Sequence, residues 1–469
     1  PQLEYSLVKT NGEILIMATD LVDSVMKDSG ITEYETVGTL FGDEFEYMTA
    51  YHPFMNRDSL IILGDHVTLD AGSGCVHTAP SFGLDDFYVC QRYDEIPTGV
   101  EMEVSVNAQG FLNEFAGPYE GLHVTKAHPV IFKDLVDMGA ILSSADIVHS
   151  YPHCWRCDTP LIYYARESWF IKMTAVKEDL IRNNNMIHWI PESIGKGRFG
   201  DWLENIQDWG ISRNRYWGTP LPVWQCECGH MHCIGSREEL KKMSPNYMDV
   251  VKKYSKEMNG DQGEVELHRP FIDDVVITCP QCGKEMHRVP EVIDCWFDSG
   301  SMPFAQYHYP FENRELFHKR FPADFISEAV DQTRGWFYSL MAISTLLFNK
   351  APFRNVIVLG HVQDENGQKM SKSKGNGVDP MDLIAKYGAD AMRFNLLTLV
   401  TNNQDVRFDA DIDPKTHELI SSPRTEQARA FVTKIWNASR FVLGNLEGFT
   451  PGEPVAATPA DAWILSRLA

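Results

Sequence analysis

The feature that most restricts the fold is the apolar run Val356-Ile-Val-Leu359, followed closely by Gly367-Gln-Lys-Met-Ser-Lys-Ser-Lys-Gly375. A short run rich in β-branched residues reads as a buried strand of a parallel sheet, and the segment after it as a basic loop at the strand's end. Gly367 and Gly375 let the backbone approach a ligand, Lys369 and Lys372 offer compact positive charges, and Ser371 and Ser373 offer hydroxyl donors. That donor set suits the oxygens of a polyphosphate. A solvated surface loop and a basic targeting run are the other readings of such a segment.

At 469 residues the chain is long enough for about three domains with full cores. Its 43% hydrophobic and 23% charged content place it among soluble globular proteins, and no run approaches the roughly 18 to 20 apolar residues of a membrane span. No secretory signal opens the sequence, so a cytoplasmic protein is expected. Because residue 1 is Pro and residue 469 closes just after the helix-like Trp463-Ile-Leu-Ser-Arg-Leu468, the chain is expected to be a piece of a longer one. The net charge of −23 argues against binding nucleic acid through bulk charge, so RNA contacts would use local basic groups such as Lys196, Arg198, Arg213 and Arg215.

Six of the ten cysteines fall in close pairs: Cys154 with Cys157, Cys226 with Cys228, and Cys279 with Cys282. In a reducing compartment such spacing points to metal rather than disulfides. The last two pairs, each followed by glycine, predict a structural zinc ribbon, with Cys233, His230 and His232 as substitute ligands. Cys154 and Cys157 make only half a tetrahedral site, and a pair of reduced core cysteines is the alternative.

Residues 1–150 mix strand-like runs, Glu13–Met17 and Leu60–Leu63, with glycine-rich turns, and no sustained helical period precedes His123–Leu142. This predicts a separate β-rich module. Its densest segment, Gly72–Phe87, brings His77 close to Asp85 and Asp86; a carboxylate there can grip an ammonium group or simply cap the next helix. Farther on, Glu167–Lys172 and Asp208–Pro220 place aromatics beside basic residues, a combination that stacks on bases or packs in a core. Between 290 and 400, a strand at Asp324–Ser327, a helix with Trp336, Leu340, Ile343 and Leu347 on one face, and the strand at 356–359 form a crossover unit. Glu328, Asp331 and the lysine loop should then meet in one crevice at the carboxyl ends of the strands. Asp379-Pro380 opens a further helix that ends near Gly388. A later helical stripe carries Phe431, Ile435, Ala438, Val442 and Leu446.

Lys-Met-Ser-Lys-Ser at 369–373 resembles the second ATP signature of the class I aminoacyl-tRNA synthetases. Trp-Phe-Asp-Ser-Gly at 296–300 and Asp-Gln-Thr-Arg-Gly-Trp at 331–336 resemble the isoleucyl members, whereas Gln404–Phe408 and Trp436–Leu443 resemble the valyl ones. Gly72–Phe87 is similar to the aminoacyl-binding loop of the editing domain in the isoleucyl, valyl and leucyl enzymes. The family's threonine-rich editing strand and its His-x-Gly-His signature are not in these residues.

The resemblance implies an α/β fold: a Rossmann-like parallel-sheet catalytic domain in the second half, with an inserted β-rich editing domain, a zinc-ribbon module and the start of a helical anticodon-binding domain. The expected extents are 1–150 for the editing part, 151–225 for the return to the catalytic domain, 226–290 for the zinc ribbon, 291–400 for the catalytic half, and 401–469 for the helical start. Lys369 and Lys372 would stabilise pyrophosphate as it leaves, and Lys369, Ser371, Lys372, Ser373 and His361 would contact ATP held with Mg2+. Glu328, Asp331 and Gln332 would hold the adenylate, Trp296 and Trp336 would flank the amino acid side chain, and His77 and Asp86 would serve editing. Cys226, Cys228, Cys279 and Cys282, with Cys154 and Cys157, would hold zinc.

The function implied is ligation of isoleucine to its tRNA by a monomer without membrane contact, with hydrolysis of mischarged valyl-tRNA. Editing has a physical motive, since one methylene in an apolar slot is worth only about 1–3 kcal/mol, a limit for which isoleucyl enzymes are the standard illustration. A valyl enzyme, a noncatalytic zinc-containing tRNA-binding fragment, and a free-standing editing hydrolase remain as alternatives. Without His-x-Gly-His, these residues by themselves are not expected to complete adenylation.

Overall fold

The described parallel strand pairings all lie between His188 and Arg407. In the computed structural model, which describes residues 2–70, 72–99, 101–154, 157–256, 263–370, 376–400, 404–413, 415–416 and 418–469, the chain forms two units. They are Pro1–Glu167 and Ser168–Ala469, so the division falls downstream of the module end read near residue 150.

In the first unit, strands Glu13–Ala18, Glu4–Thr10 and Glu35–Phe41 form an antiparallel sheet with Glu4–Thr10 in the centre. Val8 and Met17 turn inward and pack on Val22 and Met26 of the helix Val22–Asp28, which the sequence reading did not anticipate. The run Leu60–Leu63 is a strand only as Asp58–Leu60, paired with Thr49–Tyr51. Past that point the Leu63 N–H donates to Tyr93 Oη at 2.9 Å, so a side chain ends the ladder. The helix expected over 123–142 runs Val124–Asp137 and is closed by Gly139 at φ 71°.

In the second unit, Ala323–Ala329 pairs in parallel with Phe353–Leu359, which pairs in parallel with His188–Ile190. The third strand carried no signal in the sequence because it is only three residues long. Phe353, Val356 and Val358 face a core built with Trp189, Phe199, Leu203, Phe337 and Leu340. The helix Trp336–Phe348 departs from the one-face expectation. Phe337, Leu340, Met341, Ala342 and Ile343 are all buried, while Leu347 is 58% exposed. Packing on several sides buries more of this helix than a single amphipathic stripe would.

One such neighbour is the helix Cys295–Gly300. A Cβ on Gly300 would come within 2.8 Å of the backbone C and O of Ser339, so the two helices touch where a side chain cannot fit. Between the strands Val223–Cys226 and Glu285–Arg288 the chain builds a small module. Its antiparallel sheet runs, in order, Met231–Cys233, Val223–Cys226, Glu285–Arg288 and Ile277–Thr278. The helix Pro380–Tyr387 begins where Asp379 accepts the Met381 N–H at 2.8 Å and ends at Gly388, φ 92°, as the sequence predicts. On the long helix Pro423–Gly444, Phe431 stacks on Phe394 at 5.0 Å, whereas Ile435 and Val442 are exposed. No helix among the described residues is long and apolar enough to cross a membrane.

Substituting Gly300→Ala should cost about 1–3 kcal/mol by overpacking. It should appear as a lowered Tm, while Gly377→Ala, with nothing within 4 Å of its Cβ, should leave Tm nearly unchanged.

Candidate functional site

Parallel strands send their carboxyl ends to the same edge, and two loops leave the sheet there. In register, Glu328 lies beside Val358 and Ala329 beside Leu359. The first loop is the turn Val330–Arg334; the second starts at Gly360-His361. His361 ties them together, with Nε2 3.5 Å from Asp331 Oδ1 and Nδ1 3.4 Å from Asp405 Oδ1. Asp405 also accepts the His361 N–H at 2.8 Å and a Gln363 Nε2–H at 2.6 Å.

Behind His361, Val362–Gln363 pairs in parallel with Val406–Arg407. A Cβ on Gly360 would lie 2.1 Å from the Gln404 carbonyl oxygen, so only glycine allows the segments to come this close. Residues 363–369 then form a tight hairpin, with Gln363 bridged to Lys369 across a turn at Gly367, φ 76°. Asn376 donates from Nδ2 to Asp364 Oδ2 at 2.8 Å and to the Lys369 carbonyl at 3.3 Å, closing the base of the loop. Lys369 is exposed, and Met370 packs against the core around Leu383 and Tyr387. Ser371, Lys372 and Ser373 lie outside the described residues.

The two tryptophans adjoin the same turn. Trp336 donates its backbone N–H to Gln332 Oε1 at 2.9 Å and its indole N–H to the Ser299 carbonyl at 3.0 Å. A Cβ on Gly335 would lie 2.7 Å from Gln332 Oε1 and 3.0 Å from Trp296 Cη2, which puts the Trp296 ring directly over that glycine. Trp336 is half-buried on the core, while Trp296 is 41% exposed. Asp294 caps the Trp296 helix and is held by Arg213 at 2.7 Å. Asp298 accepts from Thr219 Oγ1 at 3.0 Å; burial and the nearby Asp294 push its carboxyl above the usual range.

The sequence thus brought Glu328, Asp331, Gln332, Trp296, Trp336, His361 and Lys369 to one region. It did not reveal Asp405 or Asn376 as supports of the hairpin. The only available signal was the segment Gln404–Phe408, noticed as a pattern but not as a partner. Of the basic residues proposed for RNA, Lys196 pairs with Glu192 at 2.6 Å, Arg213 with Asp294, and Arg198 donates to Thr333 Oγ1 at 2.9 Å.

Cys226, Cys228, Cys279 and Cys282 converge with all four sulfurs within 4.8 Å of one another. Cys226 Sγ is 3.4 Å from Cys282 Sγ, and Cys228 Sγ is 3.8 Å from Cys279 Sγ. Four thiolates bound tetrahedrally to zinc at about 2.3 Å stand about 3.8 Å apart, so this cluster fits the ion. Burial opposes ionisation of Cys279, but the N–H groups of Cys282 and Gln281 and the neighbouring thiols bring it down to about 7. The Cys228 N–H favours a thiolate at Cys226, yet burial and the other three sulfurs outweigh it and push Cys226 up to about 12. One negative charge is thus tolerated at the expense of the next, a conflict that a dication removes. His230 Nε2 is buried without a partner, His232 pairs with Glu239 at 2.9 Å, and neither joins the cluster, nor does Cys233.

Cys154 and Cys157 sit in a turn where Cys157 Sγ lies 3.2 Å from Thr159 Oγ1. Among the described residues no further ligand joins them. In the first unit, His77 lines a cleft of about 1050 Å3 together with His52, Cys75 and Ala79. Asp86 does not line it; its Oδ1 accepts the Ala79 N–H at 2.8 Å and so fixes the loop that carries His77. His52 Nδ1 accepts the N–H groups of Phe54 and Met55, each at 3.2 Å, and burial, Arg57 and His77 hold its pKa below the ordinary imidazole value.

A parallel sheet with the hairpin that carries Lys369 at its carboxyl edge is a framework suited to binding a nucleotide. Residues 22–409 match the family model of tRNA synthetases class I (I, L, M and V), and the chain belongs to that family. Within it, the chain is 48% identical over 471 residues to the isoleucine–tRNA ligase of Clostridium novyi, covering 99% of this chain and 42% of that protein. It is 46% identical over 475 residues to the isoleucine–tRNA ligase of Clostridium tetani, with 99% and 43% covered. These alignments run through the two segments that resemble valyl enzymes. The chain therefore spans about two fifths of the length of the curated relatives it matches. Among solved structures, methionyl-tRNA synthetase of Mycobacterium tuberculosis bound by methionyl-adenylate aligns at TM-score 0.39 and 20% identity, over 68% of this chain and 49% of its own.

The cysteine cluster predicts close to one zinc per chain by elemental analysis. Cys282→Ser should lower that content sharply and lower the Tm, whereas Cys154→Ser should change neither by much.

Proposed function

We propose that this chain is the part of an isoleucine–tRNA ligase that carries the lysine hairpin, the amino acid pocket and the zinc module. The observation that carries this reading is the His361 bridge, which anchors the base of the lysine hairpin 3.5 Å from Asp331 and thus beside the turn that follows Glu328. In activation the carboxylate of isoleucine attacks the α-phosphorus of ATP, and pyrophosphate departs with negative charge that nearby cations offset. Lys369 and Lys372 stabilise that charge, with Ser371, Ser373 and His361 fixing the nucleotide. Mg2+ would supply further phosphate neutralisation.

Glu328, Asp331 and Gln332 hold the adenylate's polar groups, and Trp296 beside Trp336 forms the apolar slot for a branched side chain. The 48% identity to an isoleucine ligase, over 99% of the chain, favours isoleucine over valine. The zinc module at 226–290 is a closed structural site with no open coordination position. It suits the cytoplasm, where thiols stay reduced. The cleft around His77 is assigned to editing, with the imidazole ordering a water and Asp86 holding the loop in shape. The helices beyond 401 begin the anticodon-binding part, and tRNA is the macromolecular substrate.

ATP–pyrophosphate exchange tests this in a chimera in which the chain replaces the matching segment of the Clostridium novyi ligase. Isoleucine should support exchange better than valine by about 10- to 200-fold, the range that one methylene allows. Lys369→Ala should lower kcat by about 10²–10³ with little change in the KM for isoleucine, as for loss of a group that acts on developing charge. Equal or faster exchange with valine would overturn the isoleucine assignment.

A further inference from the structure

The cleft that carries His77 holds a second imidazole, that of His52, which follows the strand Thr49–Tyr51. The His52 backbone N–H closes the hairpin by donating to the Arg57 carbonyl at 3.0 Å. Its ring turns back on the chain, where Nδ1 accepts the N–H groups of Phe54 and Met55, each at 3.2 Å. A ring nitrogen that accepts two donors carries no hydrogen, so the neutral ring holds its one hydrogen on Nε2. Among the described residues Nε2 has no hydrogen-bond partner and is not sealed from solvent, so its N–H is open to the cleft. Burial, the Arg57 charge and His77 lower the His52 pKa from the ordinary imidazole value, which leaves the ring uncharged at neutral pH.

The turn that aims this ring is firmly seated. Phe54 meets Tyr119 edge-on, with centroids 5.2 Å apart, and the buried Tyr119 donates its Oη–H to Asp134 at 3.1 Å. A Cβ on Gly117 would lie 2.5 Å from Met55 Sδ, so Met55 fills the space that a side chain there would take. The loop bearing His77 is fixed as well. Tyr5 Oη donates to the Gly74 carbonyl at 2.8 Å, the Ala18 N–H donates to the Ser73 carbonyl at 2.9 Å, and Asp86 holds the Ala79 N–H. Arg57, the cation closest to His52 along the chain, is paired with Glu103 at 3.2 Å. The His77 ring makes no hydrogen bond among the described residues, which leaves it able to take a proton.

We propose that His52 is a catalytic residue of the editing reaction, whose Nε2–H bonds the carbonyl oxygen of the misacylated ester and holds the negative charge that forms there. The proposal rests on the assignment of this cleft to editing and deepens it. A water ordered by His77 adds its oxygen to the ester carbonyl carbon and gives one proton to the His77 ring. The carbonyl oxygen becomes an oxyanion bonded to His52, which keeps its hydrogen. When the ester C–O bond breaks, the ribose oxygen takes the proton from His77, leaving the free amino acid and the tRNA hydroxyl. A neutral donor suits this task because it stabilises the oxyanion without protonating it.

The simpler reading of His52 is a turn cap that borders the cleft, and two substitutions separate the roles. In His52→Asn the side-chain Oδ1 stands where Nδ1 accepts, so the cap survives and the donor is lost. In His52→Gln the amide N–H reaches as far as Nε2, so the donor survives and the cap is lost. Deacylation of valyl-tRNA made with the isoleucine acceptor tests this in the chimera with the Clostridium novyi ligase. His52→Asn should lower kcat by about 10²–10³ with little change in KM or Tm, as for loss of an oxyanion donor. His52→Gln should keep more of the rate despite a lower Tm. The reverse order, with His52→Asn close to wild type and His52→Gln slow, would overturn the donor role, as would a raised KM at unchanged kcat. His77→Ala distinguishes the proposal from the reading beneath it. Deacylation slowed by His77→Ala and untouched by His52→Asn overturns the donor alone, whereas deacylation indifferent to both overturns the editing assignment together with it.

Discussion

The site depends on the parallel pairing of Ala323–Ala329 with Phe353–Leu359. Because both strands point the same way, the acidic turn after the first and the lysine hairpin after the second emerge at one edge, without any long connection to bring them together. Core packing keeps that pairing in place: Phe353, Val356 and Val358 are buried against Phe337 and Leu340 of the intervening helix. His361 then joins the loops through its two ring nitrogens, one toward Asp331 and one toward Asp405. The hairpin that carries Lys369 would otherwise be an open surface loop. Its base is specified by Asn376, by Asp405 and by the close crossing at Gly360.

The same economy governs the charges. An acidic chain that binds RNA must either expose its cations or place them where geometry, not bulk field, does the work. Here several candidates are already paired, Lys196 with Glu192 on the surface and Arg213 with the buried Asp294 that caps the Trp296 helix. Four crowded thiols show the opposite situation. Their mutual opposition to ionisation is unresolved by the protein alone, and the sulfur spacing matches what a tetrahedral dication requires. The small antiparallel module is then pinned at its two knuckles. Its His268 and Arg269 can serve as a firm base for the exposed rings of Tyr216 and Trp217.

What could be read ahead of the structure followed the range of each interaction. The cap at Asp379, the stop at Gly388 and the two cysteine knuckles are local, set by neighbours a few residues away, and all appear as expected. The helix Trp336–Phe348 was recognised but its burial was not, because periodicity reports one apolar face and cannot count how many elements pack on it. The strand His188–Ile190 is too short to carry a period and exists only because Phe353–Leu359 lends it a partner. Asp86 was read either as a grip for an ammonium group or as a cap of the next helix; its carboxylate accepts the Ala79 N–H, a partner that local spacing did not single out.

By itself the sequence determined the alternation of strand and helix around the strands at 324–327 and 356–359, the spacing of the cysteine pairs, and the basic run that follows the second strand. Each is written in residues adjacent along the chain. Only the tertiary structure decided that Asp405 would hold His361, 44 positions earlier in the chain. It also decided that Trp296 would lie over Gly335, and that Trp217 would rest on His268 with one face open. Contacts between distant segments leave no periodic trace in sequence, because their geometry is set by the sheet and the packed helices that carry them.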